Sequence, residues 1–232
     1  MTTAWKVKKF LFSIPIVLFF FHIGSSCLAE CTEKCHREVV KWEVKHKDLF
    51  NCTMCHGDVG EYQKSSGHGP VDLEKTRMAC LNCHRKEILD DFSHLHTPIK
   101  GRNGCLKCHV PHGSRFKGLL VDEFPEDGHV KYSKNEYRLC FRCHKRDLLM
   151  FPDTSYATGF RDGDKNLHFF HVKHPRRGVS CRLCHMFHGS MLPSLMATKV
   201  PYGRWAMPIG FKKAPDGGAC IPGCHDPRSY RR

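Results

Sequence analysis

Fourteen of the 15 cysteines fall into seven close pairs: Cys31/Cys35, Cys52/Cys55, Cys80/Cys83, Cys105/Cys108, Cys140/Cys143, Cys181/Cys184 and Cys220/Cys224. The second cysteine of every pair is followed at once by a histidine: His36, His56, His84, His109, His144, His185 and His225. Five sites read Cys-x-x-Cys-His. The first and the last carry one more spacer residue. This spacing suits covalent attachment of haem c. Two thiols reach the two vinyl groups of one porphyrin, and the next residue turns its imidazole to the iron as proximal ligand. An extra spacer residue can loop out without moving that histidine. Zinc would not demand a histidine after every pair. A disulfide between cysteines three apart would constrain almost nothing.

Each of seven irons then needs a sixth ligand. Ten histidines remain after the proximal seven and His22: His46, His68, His94, His96, His112, His129, His168, His171, His174 and His188. Internal repeats rank them. Cys105-Leu-Lys-Cys-His-Val-Pro-His112-Gly-Ser114 is similar to Cys181-Arg-Leu-Cys-His-Met-Phe-His188-Gly-Ser190. His112 and His188 sit too close to their own proximal histidines to reach the far face of the same haem, so each is expected to ligate a neighbour. Gly67-His68 and Gly128-His129 precede Cys80 and Cys140 in parallel fashion. His46, His96 and His171 each stand six to ten residues ahead of an attachment site. The expected distal set is therefore His46, His68, His96, His112, His129, His171 and His188, with His94, His168 and His174 as alternates. Methionine is the other candidate ligand, and it would raise the potential. Met150, Met191, Met196 and Met207 are expected to line porphyrin faces instead. Bis-histidine ligation points to low potentials and anaerobic respiration.

These sites need an exported chain, because haem c is attached outside the cytoplasm. Residues 1–29 read as a secretory signal, with Lys6, Lys8 and Lys9 ahead of the apolar run Phe10 to Ile23. Cleavage after Ala29 would remove Cys27. Lipidation of Cys27 and an uncleaved anchor are the competing readings. A periplasmic location is expected, with the outer surface or a lipid anchor as alternatives. The remainder divides into two-haem units at 30–79, 80–139 and 140–190 and a single-haem tail at 191–232. Helices are expected over Arg37–Asp48 and Arg85–Phe92, and strand signals are weak. The fold expected is mostly irregular, with short α-helices wrapped around a haem stack and little or no β-sheet.

The chain resembles the doubled Cys-x-x-Cys-His family of multihaem c-type cytochromes. The resemblance rests on Cys80-Leu-Asn-Cys-His, His96-Thr-Pro and the Cys105–Ser114 segment. It rests equally on Asn166-Leu-His-Phe-Phe-His-Val with the Cys181–Ser190 segment, and it covers roughly residues 30–190. The first unit departs from the pattern, since no His-Gly-Ser follows His56. What the resemblance implies is electron transfer through a chain of haems in anaerobic bacteria.

Composition narrows the function. The chain has 232 residues, a net charge of +14, a mean hydropathy of −0.44 and 41% hydrophobic residues, which excludes a polytopic membrane protein. Removal of the signal leaves 34 basic against 23 acidic residues. Two propionates on each of seven haems would offset most of that excess, so nucleic acid is not the expected partner. Basic surface such as Arg228, Arg231 and Arg232 suits an acidic redox partner. With so little chain per haem, an electron carrier rather than an enzyme is expected. Its partners would be a membrane quinol-oxidising complex or other multihaem cytochromes, with membrane association through a partner or a lipidated Cys27. The alternatives are a reductase of nitrite or sulfur oxyanions with one open haem, and a subunit of an extracellular cytochrome filament.

Overall fold

The computed structural model describes residues 37–47, 52–56, 73–88 and 92–232. The expected signal lies outside these residues, as does the whole first attachment site, with its expected thiols Cys31 and Cys35 and its expected proximal ligand His36. The expected distal ligand His68 lies outside them too.

Among the described residues there are five α-helices: α1 (Arg37–Val40), α2 (Cys52–His56), α3 (Leu73–Ile88), α4 (Leu167–Val172) and α5 (Cys181–Cys184). The expectation of little or no sheet is wrong. Among the described residues, eleven strands form five small antiparallel sheets. They are β1 (Val44–Lys45), β2 (His94–Leu95), β3 (Gly113–Ser114), β4 (Arg161–Asp162), β5 (Lys165–Asn166), β6 (Gly189–Ser190), β7 (Lys199–Tyr202), β8 (Trp205–Pro208), β9 (Lys212–Ala214), β10 (Gly217–Cys220) and β11 (Arg228–Arg231). None is longer than four residues. That is too short for the alternation that betrays a strand in sequence. Most of the chain between is turn and 3₁₀ helix, which Gly and Pro impose.

The helix expected over Arg85–Phe92 begins instead at Leu73 and ends at Ile88. Residues 73–88 hold no Gly or Pro, and Arg77 lies 3.8 Å from Glu74 one turn away. Cys80, Cys83 and His84 therefore occupy positions i, i+3 and i+4 of a regular helix, on one face. The helix expected over Arg37–Asp48 covers only Arg37–Val40, because the chain then straightens into β1.

Two corners of the molecule repeat one another. In the first, β1 pairs with β3, Val44 opposite Ser114. In the second, β2 pairs with β6, His94 opposite Ser190. A Cβ on Gly113 would meet Trp42, and one on Gly189 would meet Phe92 at 2.6–2.8 Å, so only glycine admits these aromatic neighbours. Ser114 Oγ donates to the Leu120 carbonyl and accepts from Phe116 N–H. Ser190 Oγ donates to the Met196 carbonyl and accepts from Leu192 N–H in the same way. The turn between carries left-handed backbone in both copies, at Gly118 and Leu119 and at Ser194 and Leu195. Three of those four residues are not glycine, so the turn stores strain on the order of 1–2 kcal/mol per residue. Ser190→Ala should remove a buried two-bond clip and lower stability by about 1–3 kcal/mol, measured by denaturant unfolding of the haem-loaded protein.

The apolar core is small and divided. Leu183, Met196, Ala197, Val200 and Ile209 form one cluster. Tyr137, Leu149 and Val172 form another. The C-terminal sheet has the order β11-β10-β9 and is tied back by Arg231, whose N–H donates to Asp162 at 3.1 Å and whose guanidinium pairs with Asp216 at 3.2 Å. Among the described residues no helix is long and apolar enough to cross a membrane.

Candidate functional site

The Cys-x-x-Cys-His segments fold as single tight turns. Both Cys108 N–H and His109 N–H donate to the Cys105 carbonyl, at 3.2 and 2.9 Å. Cys143 and His144 do the same with Cys140, at 3.2 and 3.0 Å, and His185 N–H reaches Cys181 O at 2.9 Å. One carbonyl thus winds the two thiols onto one side and hands the following imidazole outward. Sites on α2, α3 and α5 reach the same arrangement as α-helix. At the last site β10 ends at Cys220, and the longer spacer runs as a turn to Cys224 and His225.

Six of the seven proximal histidines lie within the described residues, and each faces one other imidazole. The ring centres are separated by 6.2 Å for His84 with His46 and 5.9 Å for His56 with His112. They are separated by 6.3 Å for His144 with His96 and 6.1 Å for His109 with His188. The separation is 6.4 Å both for His185 with His168 and for His225 with His171. Rings in van der Waals contact would be closer. Two metal–nitrogen bonds of roughly 2 Å, plus about 1 Å from each nitrogen to its ring centre, give about 6 Å. The pairs are therefore spaced for one iron between them.

A cleft between His96 and His144 leaves room for a large group. It has a volume of about 470 Å³ and is bordered by Cys143, Pro98, Asn103 and Lys107, within the range of cofactor pockets. A second sign of fit is the Tyr137 hydroxyl, buried without a hydrogen-bond partner and interacting with Cys140 and Cys181. Among the described residues no three His, Cys, Asp or Glu side chains converge as they would around zinc.

Hydrogen bonds fix the tautomer of these imidazoles. Nδ1 lies 3.1 Å from Phe187 O in His96, 2.8 Å from Gly118 O in His109 and 2.7 Å from Leu167 O in His171. It lies 3.0 Å from Ser194 O in His185 and 2.6 Å from Asp226 O in His225. A carbonyl can only accept, so Nδ1–H donates and Nε2 keeps its lone pair for a metal. The left-handed turns are what aim the carbonyls of Gly118 and Ser194 at the proximal rings. Burial keeps these groups neutral: it pushes His168 down to about 3 and holds His96, His171, His185 and His188 below the usual histidine range.

Successive attachment sites touch. Cys80 and Cys105 share a hydrogen bond that lowers Cys105 to about 6 and raises Cys80. Cys140 and Cys181 share another, which likewise lowers Cys181 and raises Cys140. Cys55 lies close enough to Cys80 to help raise its thiol, Cys143 does the same to Cys108, and Cys220 and Cys224 do so to Cys184, each adding to the effect of burial. The distal histidines are neighbours too. His46 N–H reaches His112 O at 3.5 Å, and His96 N–H reaches His188 O at 2.9 Å. His168 and His171 stand three residues apart on α4. The six described sites thus follow one another in space in sequence order.

Of the expected distal residues, His46, His96, His112, His171 and His188 stand opposite a proximal histidine. His129 is exposed and stands in none of the six pairs among the described residues. The first site, Cys31 and Cys35 with His36, takes no part in this geometry, because it lies with His68 outside the described residues. His168 ranks in sequence only as an alternate to His171, yet each has its own partner. The i, i+3 spacing in His168-Phe-Phe-His171 is the available signal, since it puts both rings on one helical face. His94 and His174 are exposed, and His174 Nδ1 accepts from Arg177 N–H at 3.2 Å.

Residues 96–148 fit the family model described as the doubled CXXCH motif. No curated protein and no solved structure matches the chain. The matched stretch contains the Cys105–His109 and Cys140–His144 sites and the whole His96/His144 pair. Over that segment the chain is similar to the doubled CXXCH family of multihaem c-type cytochromes, whose CXXCH motifs indicate covalently bound haem c and electron transfer.

Proposed function

We propose that the protein is a seven-haem c-type cytochrome that relays electrons along a row of bis-histidine sites outside the cytoplasm. It would receive them from a membrane quinol-oxidising complex or another cytochrome and deliver them to a further acceptor in anaerobic respiration. The observation that carries this reading is the set of six imidazole pairs, 5.9 to 6.4 Å between ring centres, each joining a Cys-pair histidine to one from elsewhere in the chain. Haem iron supplies one-electron chemistry when bound. The chain's own residues anchor, orient and insulate. Paired thiols anchor each group, carbonyl-bonded imidazoles fix the axial positions, and contacts between neighbouring sites hold the row together. Two imidazoles per iron leave no position for a substrate, which supports a carrier over a reductase.

Reductive titration of the haem-loaded protein tests this. Seven electrons should enter per chain at low potential, and the ferric form should be low-spin at every haem. A high-spin ferric haem with turnover of nitrite or hydroxylamine would replace the carrier with a reductase.

A further inference from the structure

The ligand pairs obey a rule that breaks at one site. His84, His144 and His225 each face a histidine from ahead of the preceding attachment site: His46, His96 and His171. His56 and His109 each face the histidine of a His-Gly-Ser loop two sites further on: His112 and His188. By that rule His185 needs a His-Gly-Ser loop two sites beyond its own. His185 faces His168 instead, from α4 ahead of its own site.

His168 is also held differently. Its Nδ1 lies 2.8 Å from the Thr158 hydroxyl, which already accepts from Phe160 N–H at 2.9 Å. The five other bonded rings described above use backbone carbonyls. The Phe160 ring stands edge-on to His168, 5.1 Å between centres, and also lies 5.5 Å from His171.

We propose that Thr158 is the positioning residue that aims His168 at the coordination position opposite His185. This rests on the bis-histidine reading and goes beyond it. A structural histidine would serve only to fill space between α4 and α5, whereas a ligand closes a coordination position.

The test uses the full haem-loaded chain. In His168→Gly with His174→Gly, one haem per chain should become high-spin in the ferric state and bind one equivalent of carbon monoxide when reduced. Added imidazole should return it to low spin. The second substitution closes the route by which nearby His174 would step in, and His174→Gly alone should stay low-spin. A double variant that remains wholly low-spin and binds no carbon monoxide overturns the proposal. If the double variant does not accumulate, Thr158→Val decides. It leaves the His168 N–H unpaired and the ligand less basic, so one midpoint should rise by a roughly tenfold change in oxidation preference, about 59 mV for a one-electron couple. Thr158→Ser should restore the parent value, and unchanged midpoints in Thr158→Val overturn the assignment. High-spin haem already present in the parent would instead count against the bis-histidine reading itself.

Discussion

Asn166→Ala should lower the stability of the haem-loaded protein by about 3 kcal/mol and disturb two haems at once. Asn166 is fully buried. Its Oδ1 accepts from Phe169 N–H at 3.2 Å and caps α4. Its Nδ2 donates to Leu148 O at 3.1 Å and to Phe151 O at 3.0 Å. Loss of the cap costs about 1 kcal/mol, and each of the two donated hydrogen bonds lost costs about 1 kcal/mol more. The helix so released carries both His168 and His171. Denaturant unfolding measures the loss, and the ferric spectrum should broaden for two haems and not for the others. Asn166→Asp keeps the cap and discards both donated bonds, so it should recover only the capping part.

His188→Met should raise one midpoint potential on the order of 0.1 V, a modest share of the roughly 0.8 V that axial ligands command. A thioether is a weaker donor to ferric iron than a carbonyl-oriented imidazole, so the oxidised form loses stabilisation. The prediction is sharper than its size, because it names which haem changes. His188 lies three residues after His185 but faces His109. The shifted midpoint should therefore vanish when the Cys105 and Cys108 attachment is removed, and persist when Cys181 and Cys184 are replaced. Potentiometric titration of the three variants makes the comparison.

The chemistry of this chain is written locally and its architecture is not. Each Cys-His cluster occupies five or six consecutive residues, so attachment sites can be located without any knowledge of the fold. Distal histidines reach their partners across 17 to 79 residues, and only those inside a repeat can be ranked by comparison with a second copy. His112 and His188 have such a copy. His168 has none, and its neighbour His171 looks like the same feature. The strands are illegible for a related reason. Val44 finds Ser114, and His94 finds Ser190, by two-residue contacts across intervening attachment sites. No hydrophobic alternation exists in so short a span. What fixes these pairings is Gly113 beneath Trp42 and Gly189 beneath Phe92, together with the serine clip that follows each glycine.

The most direct test is the intact mass of the protein matured in a host that attaches haem c. The predicted mass is that of the exported chain plus seven haems, unchanged by denaturation because every group is held by thioether bonds. A mass equal to the bare polypeptide, or to the polypeptide with bound zinc or internal disulfides, would contradict the account.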